Sequence, residues 1–336
     1  MILPASDSWS PLKGGITVPV GFKASGIKAG LKASGKADLA LLYAFEGTSC
    51  AGVFTQSSVR AACIDLSIAR LQESSGKIRA VLINSGQANA CIGNIALADN
   101  LLITEALADL LGLKKEEVLI CSTGVIGKRI PIKKVLAALP SLVEQLSFDG
   151  GSCAANAILT TDLKKKEIAY EAYLGDRKVC IGGMAKGSGM IHPNMATMLG
   201  YISCDVGVSS DLWKPMIRRV ANCSFNAISV DGDTSTNDAF LAFSSGELID
   251  EKYLKVLELG LTKAAQYLAK AIVRDGEGAH CLFEVEVEGA STTFAARQMA
   301  RVVSSSSLVK TAIHGVDPNW GRIVAALGMS GHSFQI

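Results

Sequence analysis

The chain has 336 residues, 49% of them hydrophobic and 19% charged, which is enough apolar material for one large core or two closely packed lobes. Lysine and arginine total 33 against 31 acidic residues, a formal charge of +2, so there is no field to gather a nucleic acid or an anionic membrane. No stretch approaches the roughly 20 uninterrupted apolar residues of a spanning helix, and Met1 to Gly15 lacks the basic-then-apolar order of a secretory leader, so the chain reads as soluble and not secreted.

The nine cysteines are odd in number and widely spaced, with no C-x-x-C pair, which suits a reducing compartment. The four histidines (His192, His280, His314 and His332) have no partner at helical spacing, so no metal site is expected.

In chain order, Arg79 to Asn84 reads as a short strand ending in Ser85-Gly86, and Asn94 to Leu111 as a helix with a broad apolar face. Glu117 to Cys121 reads as a second strand, Ser122-Thr123-Gly124 as a turn, and Ile132 onward as a helix that Pro140 should break or kink. Glu167 to Leu174 and Arg177 to Ile181 flank Gly175-Asp176 as a hairpin. The stretch from Gly182 to Met190 is too flexible for a helix and too glycine-rich for a strand interior, and it leads into an apolar strand from Thr197 to Cys204. Leu212 to Asn226 and Glu251 to Arg274 read as helices, the second split at Gly260. Leu282 to Glu288 alternates as a strand with Glu284, Glu286 and Glu288 on one face.

The run from Lys186 to Leu199 places a small residue and a hydroxyl residue, Ala196-Thr197, at a loop-to-strand junction. There the Thr197 hydroxyl can attack the Ala196 carbonyl, and hydrolysis of the resulting ester frees a new amino terminus. The product carries nucleophile and base on one residue, because an α-amine titrates at about 7.7 to 8.0. On these residues alone, an ordinary threonine opening a core strand is the simpler account. Asp231, Asp233 and Asp238 could pass for a calcium loop but lack the remaining ligands of an EF-hand, and they read as a structural turn that caps a helix.

Six motifs change the weighing: Asn84-Ser-Gly-Gln-Ala-Asn-Ala90, Ser122-Thr-Gly-Val-Ile-Gly127, Gly182 to Leu199, Val230-Asp-Gly-Asp-Thr-Ser-Thr-Asn-Asp238, Arg274-Asp-Gly-Glu-Gly-Ala279 and Asp317-Pro-Asn-Trp-Gly-Arg322. In this order they resemble the ornithine acetyltransferases, the bifunctional glutamate N-acetyltransferases of arginine biosynthesis, and the likeness runs from Gly14 to about Phe334, with plant and algal members nearest in character.

The resemblance implies an α/β fold of two stacked sheets flanked by helices, and autocatalytic cleavage at Ala196/Thr197 into an α chain (1–196) and a β chain (197–336) paired as an (αβ)₂ heterotetramer. It implies a ping-pong reaction in which Thr197 takes the acetyl group from N-acetylornithine and passes it to glutamate. No cofactor is implied, although some members also accept acetyl-coenzyme A as donor. By motif position Thr123 and Gly124 form the oxyanion hole, while Thr160, Lys186, Thr197 and Glu277 bind substrate. The compartment is bacterial cytoplasm or plastid stroma.

The family pattern continues past Ile336 to a substrate-binding asparagine and hydroxyl residue without counterpart here. That departure keeps open an inactive, shortened binding protein, and the amino-terminal-nucleophile design itself keeps open an aminopeptidase or deacetylase, in which water replaces glutamate.

Overall fold

The computed structural model describes residues 8–192 and 198–334. Ala196 and Thr197, the expected cleavage point and nucleophile, lie outside the described residues.

Four strands, β1 (Ser10–Leu12), β2 (Phe22–Ile27), β3 (Leu39–Ala44) and β4 (Ser49–Phe54), precede helix α1 (Ala62–Glu73). Then come β5 (Ala80–Gln87), α2 (Ile95–Leu111), β6 (Val118–Val125), α3 (Ile132–Glu144) and α4 (Gly151–Ala157). The long hairpin β7 (Lys166–Leu174) and β8 (Arg177–Lys186) leads to β9 (Leu199–Cys204), α5 (Ser210–Asn222), β10 (Ala239–Ser244) and α6 (Leu254–Arg274). Three helices close the described chain: α7 (Thr293–Ser305), α8 (Ser307–His314) and α9 (Trp320–Gly328).

The strands form two sheets, ordered β1-β7-β8-β9-β10-β4 and β2-β3-β5-β6. Neighbours are antiparallel except β9 with β10 and β5 with β6. Period-two alternation sorts the side chains of β10: Ala239, Leu241 and Phe243 face a core shared with Leu39, Leu41 and Leu82 of the other sheet. Phe240 and Ala242 face the opposite way, into a core shared with Trp213 of α5 and Leu261 and Leu268 of α6. Helices α5 and α6 cover the six-stranded sheet, and α2 and α3 cover the four-stranded one. The stacked-sheet α/β architecture expected from the resemblance is therefore present.

Several local expectations are overturned by long-range contacts. Ser122-Thr123-Gly124 is not a turn but the end of β6, paired in parallel with Asn84, Ser85 and Gly86. Both glycines hold positive φ, +128° at Gly86 and +125° at Gly124, inside the ladder and beside a register shift at Gly86/Gln87. Strand β8 runs through Gly182-Gly183, because a Cβ at Gly182 would lie 2.8 Å from Pro19 Cδ and one at Gly183 3.0 Å from Leu268 Cδ1. Pro140 lies inside α3 without ending it; it stands on the exposed side, where water can satisfy the carbonyl it leaves unpaired.

Leu282 to Glu288 keeps its alternating exposure but is not a strand, since no neighbouring segment among the described residues supplies a ladder. Helix α6 is not split at Gly260. There the indole of Trp9 lies against the helix, and a Cβ would stand 2.6 Å from Trp9 Nε1, which donates to Val256 O at 3.1 Å. Gly260→Ala is therefore expected to destabilise the protein by about 1–3 kcal/mol through overpacking, opposite to the gain alanine brings to an open helix position. A urea midpoint equal to or above wild type would contradict this reading of the Trp9 contact.

Candidate functional site

Lys186 ends β8, where its Cα partner across the sheet is Leu199, the first residue of β9. Its side chain is 2% exposed, and Nζ donates to Thr123 Oγ1 at 3.4 Å. The end of one sheet thus meets the end of the other. Burial is the main force lowering the Lys186 pKa, opposed by the carboxylates of Asp162, Asp238 and Glu277 and reinforced by Lys166. Because Thr123 accepts from the ammonium, its own hydroxyl hydrogen remains available to a developing oxyanion.

Beneath Thr123 the backbone is unusually close. A Cβ at Gly124 would lie 2.5 Å from Gly86 O and 2.8 Å from Gln87 N, so only glycine lets the two bent strand ends meet. Asn237 pins these ends from the side: its buried amide donates to Ala88 O at 2.7 Å and Ser122 O at 2.9 Å.

The next residue, Asp238, is fully buried, and Oδ1 accepts from Met198 N at 3.0 Å. Met198 follows Thr197 directly in sequence. Burial pushes the Asp238 carboxyl well above the usual range, against the lowering effect of Met198 N–H, Ser235 and Lys186. Asp231 accepts from Met190 N at 2.5 Å and Ile191 N at 3.0 Å. The expected helix-capping turn is corrected accordingly: the loop from 231 to 238 leads into strand β10 and secures the 190–191 and 198 backbone instead.

Thr160 sits before β7, its N–H donating to Asp162 Oδ2 at 2.9 Å. Glu277 follows α6; it is exposed, its N–H donates to Ser188 O at 2.8 Å, and its carboxyl group overlies Gly189, where a Cβ would stand 2.8 Å from Glu277 Cδ.

The ArgJ family profile matches residues 23–336. The arginine biosynthesis bifunctional protein ArgJ of Prochlorococcus marinus (strain NATL2A) is 63% identical over 334 residues, 99% of this chain and 80% of that protein. The namesake from strain MIT 9313 is 64% identical over 327 residues, covering 97% and 77%. The chain belongs to the ArgJ family.

Among solved structures, the ornithine acetyltransferase of Mycobacterium tuberculosis complexed with ornithine is 40% identical with a TM-score of 0.51, covering 55% of this chain and 98% of that one. The L-aminopeptidase D-Ala-esterase/amidase of Ochrobactrum anthropi has a TM-score of 0.50 at 10% identity, covering 78% and 86%; it shows a shared fold, described there as a variant of the Ntn hydrolase fold. The two ArgJ proteins of 63% and 64% identity are from the cyanobacterium Prochlorococcus marinus, which corrects the plant and algal character read from the motifs.

Of the site residues that the ArgJ-family resemblance assigns, Thr123, Gly124 and Lys186 come together, and Thr160 and Glu277 reach the same end of the hairpin through Asp162 and Ser188. Sequence reading missed Asp162, Lys166, Asp275 and Asn237, and gave Asp238 only a turn-forming role. Three of these five, Asn237, Asp238 and Asp275, lie inside motifs already quoted, and Asp162 stands two residues after Thr160. Lys166 belongs to Lys164-Lys165-Lys166, which reads as solvated charge, yet it is 3% exposed while Lys164 and Lys165 are exposed.

Proposed function

We propose that this acetyltransferase of arginine biosynthesis moves the acetyl group from N-acetylornithine to glutamate through an acetyl-Thr197 intermediate, after cleavage between Ala196 and Thr197 into segments 1–196 and 197–336 that remain associated as (αβ)₂. The observation that supports it most directly is the approach of Lys186 Nζ to Thr123 Oγ1 at 3.4 Å, at the strand ends beside which Asp238 anchors Met198.

In this reading the Thr197 α-amine takes the hydroxyl proton as Oγ attacks the acetyl carbonyl. The Thr123 hydroxyl and Gly124 backbone stabilise the tetrahedral oxyanion. Ornithine leaves, glutamate enters, and its amine takes the acetyl group in the reverse sequence of steps. Lys186 suits the amino-acid carboxylate and Glu277 the ammonium group, with Thr160 as a further polar contact. Acetyl-coenzyme A is a second donor in this scheme, and no resident cofactor takes part. The compartment proposed is the bacterial cytoplasm. No described helix is long and apolar enough to cross a membrane.

The test is intact mass followed by transfer. The wild-type protein should separate under denaturing conditions into two fragments divided at Ala196/Thr197, while a Thr197→Ala control stays one chain. With acetyl-labelled N-acetylornithine, label should pass to the Thr197 fragment and then, on addition of glutamate, to N-acetylglutamate. An uncleaved wild-type chain, or label released only as acetate when glutamate is present, would refute the reading.

A further inference from the structure

Around Lys166 the structure holds a buried ion cluster with no counterpart among the assigned site residues. Lys166 Nζ lies 2.7 Å from Asp162 Oδ1 and 2.6 Å from Asp275 Oδ2, and the three side chains are 2%, 0% and 8% exposed. Both carboxylates are also bound by backbone. Asp162 accepts from Thr160 N at 2.9 Å and Gly187 N at 2.7 Å; Asp275 accepts from Leu163 N at 3.0 Å and Lys164 N at 3.4 Å.

These bonds close a triangle. The 160–164 segment joins the end of β8 through Asp162 and Gly187, and through Thr161 Oγ1 and Ser188 Oγ at 2.7 Å. The end of β8 joins the segment after α6 through Ser188 O and Glu277 N. That segment returns to the first through Asp275 and Lys166. Each corner of the triangle carries one of the three residues assigned to substrate: Thr160, Lys186 and Glu277.

We propose that Asp162, Lys166 and Asp275 are positioning residues, a buried clamp that holds Thr160, Lys186 and Glu277 in one frame for the amino-acid substrate. This rests on the acetyltransferase reading above for its substrate, though not for the clamp itself. Buried charge is retained because a hydrophobic filling would leave the Thr160, Leu163 and Gly187 amides without acceptors. Asp162 also supplies negative charge to Lys186, whose other charged neighbours are Lys166, Asp238 and Glu277, with Lys32 further along the same site.

The test compares full-length wild type, Asp162→Asn and Asp275→Asn by amide hydrogen exchange and by steady-state kinetics with N-acetylornithine and glutamate. In Asp162→Asn, exchange at residues 187–189 and 276–278 should rise about tenfold or more. kcat/KM should fall on the order of 10²-fold, as for a misplaced binding group, and any limb of the pH profile belonging to Lys186 should move to lower pH. Should Asp162→Asn fail to fold, Asp275→Asn keeps the Asp162–Lys166 pair and decides: faster exchange at 163–164 and 276–278 with a raised KM supports the clamp. Wild-type-like exchange in a folded variant overturns it, and so does faster exchange with unchanged kcat/KM and pH profile, which would make the cluster a fold element only. If wild type itself makes no N-acetylglutamate, the acetyltransferase reading fails, and the dissociation constant of ornithine replaces kcat/KM: faster exchange with weaker ornithine binding supports the clamp, and faster exchange with unchanged binding overturns it.

Discussion

Replacing Gly124 with alanine should reduce acetyl transfer on the order of 10²–10³-fold, the loss seen when one oxyanion donor is removed, and lower unfolding free energy by about 3 kcal/mol or more. Two causes add. The φ of +125° is one that L side chains rarely adopt, and the new methyl group would strike the Gly86 carbonyl and lie 2.8 Å from Gln87 N. The bent ends of β5 and β6 must then part, and Thr123 shifts with them. Gly127→Ala is the matched control: its φ is +79°, but nothing lies within 4 Å of the new carbon. It should cost only about 1–2 kcal/mol of backbone strain and leave the rate near wild type. Initial rates of N-acetylglutamate formation and denaturant midpoints for the two variants check this; a Gly124→Ala enzyme within threefold of wild type would remove the strand-end contact from the account of the oxyanion site.

Lys166→Met should cost about 3–5 kcal/mol at neutral pH, the usual consequence of stranding buried charge by removing its partner. Asp162 and Asp275 would face one another without the ammonium between them. The loss should depend on pH with a definite sign. Burial alone would raise the Asp162 pKa, but Lys186, Lys166 and the donated hydrogen bonds prevail and hold it at about 2, below the ordinary 3.8. A carboxyl group depressed in the folded state contributes stability that is present above its unfolded pKa and is lost as pH falls toward the folded one. Without Lys166 that depression shrinks. The gap between wild type and Lys166→Met should therefore be widest near pH 7 and narrow from about pH 4 downward. Denaturant unfolding at pH 7, 5 and 3.5 measures it; a gap independent of pH would mean that lost packing, not lost charge pairing, sets the cost.

Elements with strong local signatures were legible in the chain: the hairpin about Gly175, helix α2, and the apolar strand ending at Cys204. So were the places where backbone would be special, because glycine marks them. What those glycines do was not legible. Gly124, Gly182 and Gly260 each read as a turn, a flexible stretch or a helix break. Each instead belongs to a continuous element that receives a distant group: Gly86 carbonyl, Gly15 and Pro19, and the Trp9 indole. A missing Cβ states that something comes close without saying what.

The same division runs through the site. The order of six motifs and the Ala196-Thr197 junction determined the family and the chemistry to be sought, because residue types and spacing carry that information along one dimension. The chain alone also set the alternation that sorts β10 between two cores, and the near-zero charge balance that gives polyanions no attracting field. Only the tertiary structure decided that Thr123 meets Lys186 from another sheet, that Asn237 pins both strand ends, and that Lys166, alone of three adjacent lysines, is buried between two carboxylates. Apart from the Lys166–Asp162 pair, four positions apart, those contacts join residues from 63 to 149 positions apart. Their energies depend on burial and on the partner's position, and neither quantity is present in a local stretch of sequence.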